Sequence, residues 1–396
     1  VHHSPHHYIE HLFDSPSLAA HTRATQGTHN NPTTPYPGHM DSMLAASLAS
    51  PGTLTLDRRP LPALGPRDAL LTVEATTLCG TDLRIVTGQK TKGVTPGVIL
   101  GHEIAARVWR VGSALTPGVD VPAPGTQVGL APEIACGHCE PCTAGRSNVC
   151  ASMALFGTGV DGGLAEVIRV PARALACITP TAREIAPPLL ALAEPLSCCL
   201  RATTRLPITE GTRVLVLGTG PIGLIHCALA ANAHASVMAC GRPNRLSPAL
   251  ALGAQVTTAS QGDDLVAEVR DWTGGAGADV VIIAVGDPGL VPVAAQCAAI
   301  GGSVSCFAGF PAGALAQIDP NLVHYRELTV SGSANATLAD YAAAVTALST
   351  GALDLAALIT HEFALTEVDA ALDAVRSRVG LKVAVLPGRT PSPGHH

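Results

Sequence analysis

The segment "TRVLVLGTGPIGLIHCALAANA", residues 212–233, constrains the fold more than any other stretch of the chain. An apolar run stops at Gly218 and gives way, through Gly220 and Gly223, to an Ala/Leu-rich stretch of helical character. This is a glycine turn between a buried strand and a helix. The first glycine makes the turn, the second lets the backbone approach a pyrophosphate, and the third permits close helix packing. Free amides and the dipole at the start of that helix favour negative charge, so Gly218, Gly220, Pro221, Ile222 and Gly223 are candidate dinucleotide contacts. Downstream, "SVMACG", "ADVVIIAVG" and "GSVSCFAG" read as further buried parallel strands between helical patterns, with Val285 and Gly286 at the end of the second as added cofactor candidates.

A parallel sheet of that kind accounts for only part of 396 residues, and the length allows a second domain with its own core. A hydrophobic share of 47% against 14% charged residues describes a packed globular chain. The net charge of −6 gives no electrostatic footprint for nucleic acid or an anionic membrane surface. Apolar runs such as "VVIIAV" are far shorter than the roughly 20 residues of a membrane span. Residues 1–42 hold half of the sixteen histidines, show no hydrophobic periodicity and lack the parts of a secretory signal. They read as a disordered leader or tag ahead of a natural start at Met43, and residues 389–396 as a disordered tail. With no secretion signal, a cytoplasmic location is expected.

Four of the twelve cysteines fall in "CGHCEPCTAGRSNVC", at Cys136, Cys139, Cys142 and Cys150. Cysteines two residues apart in a tight turn can aim their thiolates at one tetrahedral ion, about 2.3 Å away. Disulfides fit a reducing compartment poorly, and a redox pair needs two cysteines at a helix start rather than four among Gly and Pro. The cluster is read as a structural zinc site with no open coordination position. Cys198, Cys199, Cys227, Cys297 and Cys306 lie in apolar runs and read as small buried hydrophobes.

A second donor set is dispersed. Cys79 lies in "TTLCGTDLRI", His102 and Glu103 in "VILGHEIAARV", and Glu194 just before a helix-like segment in "LALAEPLSCCLRA". Mixed sulfur, nitrogen and oxygen donors suit a catalytic zinc with room for a water or substrate oxygen.

In this order "CGTDL", "GHE", "CGHCEPCTAGRSNVC", "GGLAE", "EPLS", "GTGPIG" and "YRELTVSGS" resemble the zinc-dependent medium-chain dehydrogenases of the alcohol dehydrogenase superfamily, specifically the sorbitol and threonine dehydrogenase-like branch. The resemblance spans residues 43 to about 387. It implies an α/β protein: a GroES-like catalytic domain over 43–190, completed by 334–388, with a Rossmann domain over 191–333. It also implies an NAD(P)-dependent oxidoreductase with one catalytic and one structural zinc, working as a homodimer or homotetramer. Cys79 and His102 correspond to direct zinc ligands. Glu103 and Glu194 correspond to alternative carboxylate ligands, or to groups that hold a zinc-bound water. A carboxylate in place of a second cysteine hardens the site and points to a polyol or secondary alcohol. Thr81 matches the family's proton-relay position. Arg326 and Glu327 in "YREL" match a pair near the substrate side. Arg84 stands where many relatives carry histidine, which favours an anionic substrate unless it is simply a surface arginine.

The cofactor strand also departs from pattern. An NAD-preferring strand ends in an acid that binds the ribose, whereas this one ends in Cys240 and Gly241, followed by Arg242 and Arg245. That arrangement favours NADP over NAD. Two rivals to the polyol reading stand beside it: a threonine 3-dehydrogenase-like amino-alcohol oxidation, and a non-catalytic nucleotide-binding redox sensor.

Overall fold

A computed structural model describes residues 41–390. The expected leader and tail lie outside the described residues except at their inner ends. There, Ser42 already opens the first strand and Arg389 donates to Glu362 at 2.8 Å. The chain divides into two compact units, one comprising residues up to 134, 154–191 and 361 onward, the other 135–153 and 192–360.

The first unit is built on antiparallel strands. Its main sheet runs Ile359–Ala364, Lys382–Leu386, Ala69–Leu78, Glu103–Val111, Gln127–Leu130 and Ile178–Pro180, with Val167–Val170 also pairing with Ala69–Leu78. The strand Ala69–Leu78 is buried on both faces but for Glu74, which explains why it reads as a nearly continuous run of Leu, Val, Ala and Thr. Register decides the chemistry at its end. Thr77 lies opposite Glu103 on one side and Ala384 on the other, so Lys382, two residues from Ala384, shares their face.

The second unit carries a six-stranded parallel sheet. Its order is Val256–Thr258, Ser236–Cys240, Arg213–Leu217, Ala278–Ile283, Ala298–Cys306, Thr329–Gly332, which in chain order is 3-2-1-4-5-6. Its strands pair in parallel throughout, and the two central strands are fully buried apart from Arg213 and Asp279. The helix Leu338–Thr350 packs on the helix Ala193–Thr203 and belongs to this unit. It opens on a capping box, in which Thr337 Oγ1 accepts from the Asp340 amide at 3.2 Å and Asp340 Oδ2 accepts from the Thr337 amide at 2.9 Å. It closes on Gly351 at φ +81°.

Candidate active site

The glycine turn takes the form its spacing implies. Gly218 adopts φ +111°, closed to residues with a side chain, and Gly220 caps the helix Pro221–Asn232 with Pro221 at its first position. A Cβ on Gly223 would meet the Gly218 carbonyl oxygen at 1.7 Å, so only glycine lets the helix approach this closely. Val285 presses against Gly218 yet stays 42% exposed, an apolar surface at the carboxyl end of the strand Ala278–Ile283, followed by Gly286. The neighbouring strand ends in Cys240, whose thiol donates to the Ser260 carbonyl at 3.3 Å and is pushed up to about 11 by burial. Beyond it Arg242 is exposed, whereas Arg245 is buried with partners of its own.

In the same unit the four loop cysteines converge, with all four sulfurs within 4.8 Å of one another. The Cys139 sulfur lies 3.5 Å from that of Cys142 and 3.8 Å from that of Cys150. Backbone amides point at the cluster, Cys136 N–H toward the Cys150 sulfur at 3.2 Å and Cys139 N–H toward that of Cys136 at 3.4 Å. The titration is split accordingly: amide donors pull Cys139 down to about 6, and desolvation with neighbouring thiols pushes Cys142 up to about 12. Four thiols this close cannot all ionise without a cation, and their number and spacing fit a tetrahedral zinc.

The first unit brings together Cys79, His102 and Glu103, whose donor atoms lie within 4.8 Å of one another. Cys79 is extended at the N-cap of the short helix Gly80–Val86, and His102 immediately precedes the strand Glu103–Val111. Asp82, fully buried, serves both. Its Oδ2 accepts from the Cys79 amide at 2.9 Å and its Oδ1 pairs with His102 Nδ1 at 3.2 Å. Burial opposes charge on both groups, but the mutual attraction outweighs it, holding Asp82 below the usual carboxylate range and His102 well above its ordinary value. The donor set fits a zinc ion, since a carboxylate on Nδ1 leaves Nε2 to face a metal. Glu103 is fully buried and accepts from Lys382 Nζ through both oxygens and from Thr77 Oγ1. The sequence reading passed over Asp82, Thr77 and Lys382. Asp82 stands three residues after Cys79 and was visible in "CGTDL"; Lys382 lies 279 residues from Glu103 and gave no local signal.

Thr81 is half-buried in the first turn of the helix Gly80–Val86, and Arg84 is exposed on it. Glu194 belongs to the other unit. It lies inside the helix Ala193–Thr203 rather than before it, because Pro195, lacking an N–H, is tolerated in a first turn. The Cys198 thiol reaches Glu194 Oε1 at 3.6 Å. Cys198 and Cys306 are half-buried, not core residues as their apolar settings suggested; Cys199, Cys227 and Cys297 are buried. Arg326 and Glu327 sit at the amino end of the parallel sheet. Arg326 donates to the carbonyls of Gln296 and Ala298, and its own carbonyl accepts from Gly301 N–H at 2.8 Å. Ligands of such sheets bind outside the carboxyl ends, so this pair stands on the opposite edge from the glycine turn, tying a strand start to the preceding helix.

Residues 65–180 match the family model described as the alcohol dehydrogenase GroES-like domain, and residues 221–350 match that of the zinc-binding dehydrogenases. The L-galactonate-5-dehydrogenase of Escherichia coli is 32% identical, aligned over 82% of this chain and 92% of its own length. An L-threonine 3-dehydrogenase of Pyrococcus horikoshii is also 32% identical, with the same coverage of both chains. A crystal structure of a protein assigned as a zinc-binding dehydrogenase from Sinorhizobium meliloti, bound to NADP, superposes with a TM-score of 0.80 at 31% identity, covering 88% of this chain and all of that one.

Proposed function

The chain belongs to the zinc-binding alcohol dehydrogenase family, and from that premise we propose which of its residues carry the reaction and on what substrates. It is an NAD(P)-dependent oxidoreductase of the alcohol and polyol class. The observation that carries the residue assignment is the convergence of the Cys79, His102 and Glu103 donor atoms, with the Asp82 carboxylate holding the first two residues.

Cys79 and His102 hold the catalytic zinc, which when bound supplies a Lewis acid for the substrate oxygen. Asp82 fixes both ligands with one carboxylate: it pins the backbone of Cys79 and sets the His102 tautomer. Glu103, its charge matched by Lys382, serves as a fixed negative charge behind the two ligands rather than as a ligand itself. Glu194 keeps the part of carboxylate ligand that "EPLS" implies, and Thr81 that of proton relay. Cys136, Cys139, Cys142 and Cys150 hold the structural zinc. The glycine turn and Val285 take the dinucleotide, and exposed Arg242 with no carboxylate at Cys240 favours NADP. The strand Thr329–Gly332 ends the parallel sheet and leaves Val330 43% exposed, which supports a homo-oligomer formed through that edge. Among the described residues no helix is long and apolar enough to cross a membrane.

Amino-alcohol oxidation is the second reading, favoured by the name of the Pyrococcus relative. One experiment tests the whole assignment: initial rates of NAD and NADP reduction with polyols, secondary alcohols and threonine, with zinc counted on the same sample. Two zincs per chain and faster NADP reduction with a vicinal diol are expected, with one zinc and no turnover in Cys79→Ser. Full activity in that variant sinks the assignment.

A further inference from the structure

A cavity of about 540 Å³ opens in the second unit at the carboxyl ends of the strands Ala298–Cys306 and Thr329–Gly332. The glycine turn forms no part of its wall. Three guanidinium groups line it, those of Arg146, Arg201 and Arg205, and no Asp or Glu does. Arg146 pairs with Glu140 at 2.8 Å, whereas among the described residues neither Arg201 nor Arg205 has an ion-pair partner. The buried Arg201 Nε, Asn148 Oδ1 and Ser333 Oγ also lack any hydrogen-bond partner there.

Such groups are costly unless something pairs with them. Asn148 is held in place, since its Nδ2 donates to the Ala334 carbonyl at 2.9 Å and its own carbonyl accepts from Asn335 Nδ2 at 2.9 Å. Its orphaned Oδ1 therefore asks for a donor, while Arg201 and Arg205 ask for an oxyanion. Ser333 can serve either. An anion that carries no hydroxyl, such as sulfate, satisfies the arginines and leaves Asn148 unpaired. A neutral polyol does the reverse.

We propose that this cavity binds a small polyhydroxylated oxyanion, its carboxylate or phosphate on Arg201 and Arg205 and a hydroxyl on Asn148. The inference concerns this cavity of the second unit by itself and stands apart from the proposed function.

The test is calorimetric binding to the full-length, zinc-loaded protein, with and without saturating NADP. The probes are D-gluconate, D-glucose 6-phosphate, D-sorbitol and inorganic sulfate. Gluconate or the sugar phosphate should bind at least tenfold more tightly than sorbitol or sulfate, and whichever is tighter identifies the anionic group. Arg201→Gln and Arg205→Gln should each weaken that binding, Arg201→Gln by about tenfold or more, with Arg201→Lys restoring part of it. A bidentate charge-assisted pair loses geometry, not charge, in the lysine variant. Equal affinity for gluconate and sorbitol, no binding of either anion, or unchanged affinity in both glutamine variants overturns the proposal. So does displacement of the anion by NADP, which would give the cavity to the cofactor's own phosphates. Arg201-dependent binding without any alcohol turnover leaves this site standing and removes the proposed function instead.

Discussion

Two buried histidines, one in each compact unit, show how a neighbour decides what the same side chain becomes. His102 is 9% exposed, and its Nδ1 lies 3.2 Å from Asp82, which keeps the ring's charged form favourable despite burial. His226 is 1% exposed in the helix Pro221–Asn232, with its ring edge-on to Phe307 at 4.7 Å and neither nitrogen paired among the described residues. Burial alone pushes it down to about 3. The first is a polar group oriented for a task; the second is a piece of hydrophobic core that happens to be titratable.

The largest effect expected from breaking this contrast is in activity. His102→Ala should lower kcat/KM by about a thousandfold or more, since a Lewis-acid site supplies several kcal/mol and each tenfold is about 1.4 kcal/mol. Metal analysis should find one zinc fewer, and retention of both would return His102 to a structural role.

Lys382→Met strands the buried Glu103 charge behind His102 and should cost about 3–5 kcal/mol in urea unfolding. The double variant with Glu103→Gln should recover part of it. A loss below about 1 kcal/mol in Lys382→Met would show the pair to be solvated.

His226 supplies a pH test. Its folded pKa lies below the unfolded value near 6.5, so the unfolded chain binds the proton more readily. The stabilisation is complete above pH about 6.5 and drains away as pH falls toward about 3, by on the order of a few kcal/mol. Unfolding measured at pH 7.5 and 5 should show His226→Leu losing less stability than the parent between the two; parallel losses would refute the burial argument.

Asp82→Asn sharpens the contrast from the other side. It keeps the shape but removes the carboxylate charge that faces His102 Nδ1, and should weaken catalytic-zinc affinity about 10–100-fold in chelator competition while leaving the four-cysteine zinc untouched. The smallest effect is expected at Arg213 and Asp279, a bidentate pair about a third exposed, where Asp279→Asn should cost less than about 1 kcal/mol. The Arg213 guanidinium holds Asp279 below its usual range, so that contribution is present above about pH 4 and lost as pH falls below it.

The two histidines were not equally legible in the sequence. "GHE" marked His102 as a donor, whereas nothing in the Ala/Leu-rich stretch around His226 singled that histidine out. Neither stretch revealed that Asp82 would be the group to orient His102, or that Arg326, in a segment matching a family motif, would be spent on the carbonyls of Gln296 and Ala298. Four strands of the parallel sheet were legible because buried parallel strands are continuous apolar runs, whereas the short edge strands Val256–Thr258 and Thr329–Gly332 carry no such run. The packing of the helix Leu338–Thr350 on Ala193–Thr203 joins stretches far apart in the chain and has no local signal.

What the sequence determined by itself is whatever a few consecutive residues can enforce. The turn through Gly218, Gly220 and Gly223 follows from backbone dihedrals that only glycine allows and from a contact that only glycine permits, and the four-cysteine cluster follows from a loop too short to aim its thiolates elsewhere. The tertiary structure decided the rest. Lys382 meets Glu103 because antiparallel register sets Ala384 and Glu103 on either side of Thr77, and Arg146, Asn148, Arg201 and Ser333 meet around one cavity because separate segments end at the same sheet edge. Register and sheet order are set by the burial of whole faces, a property that no short stretch of the chain contains.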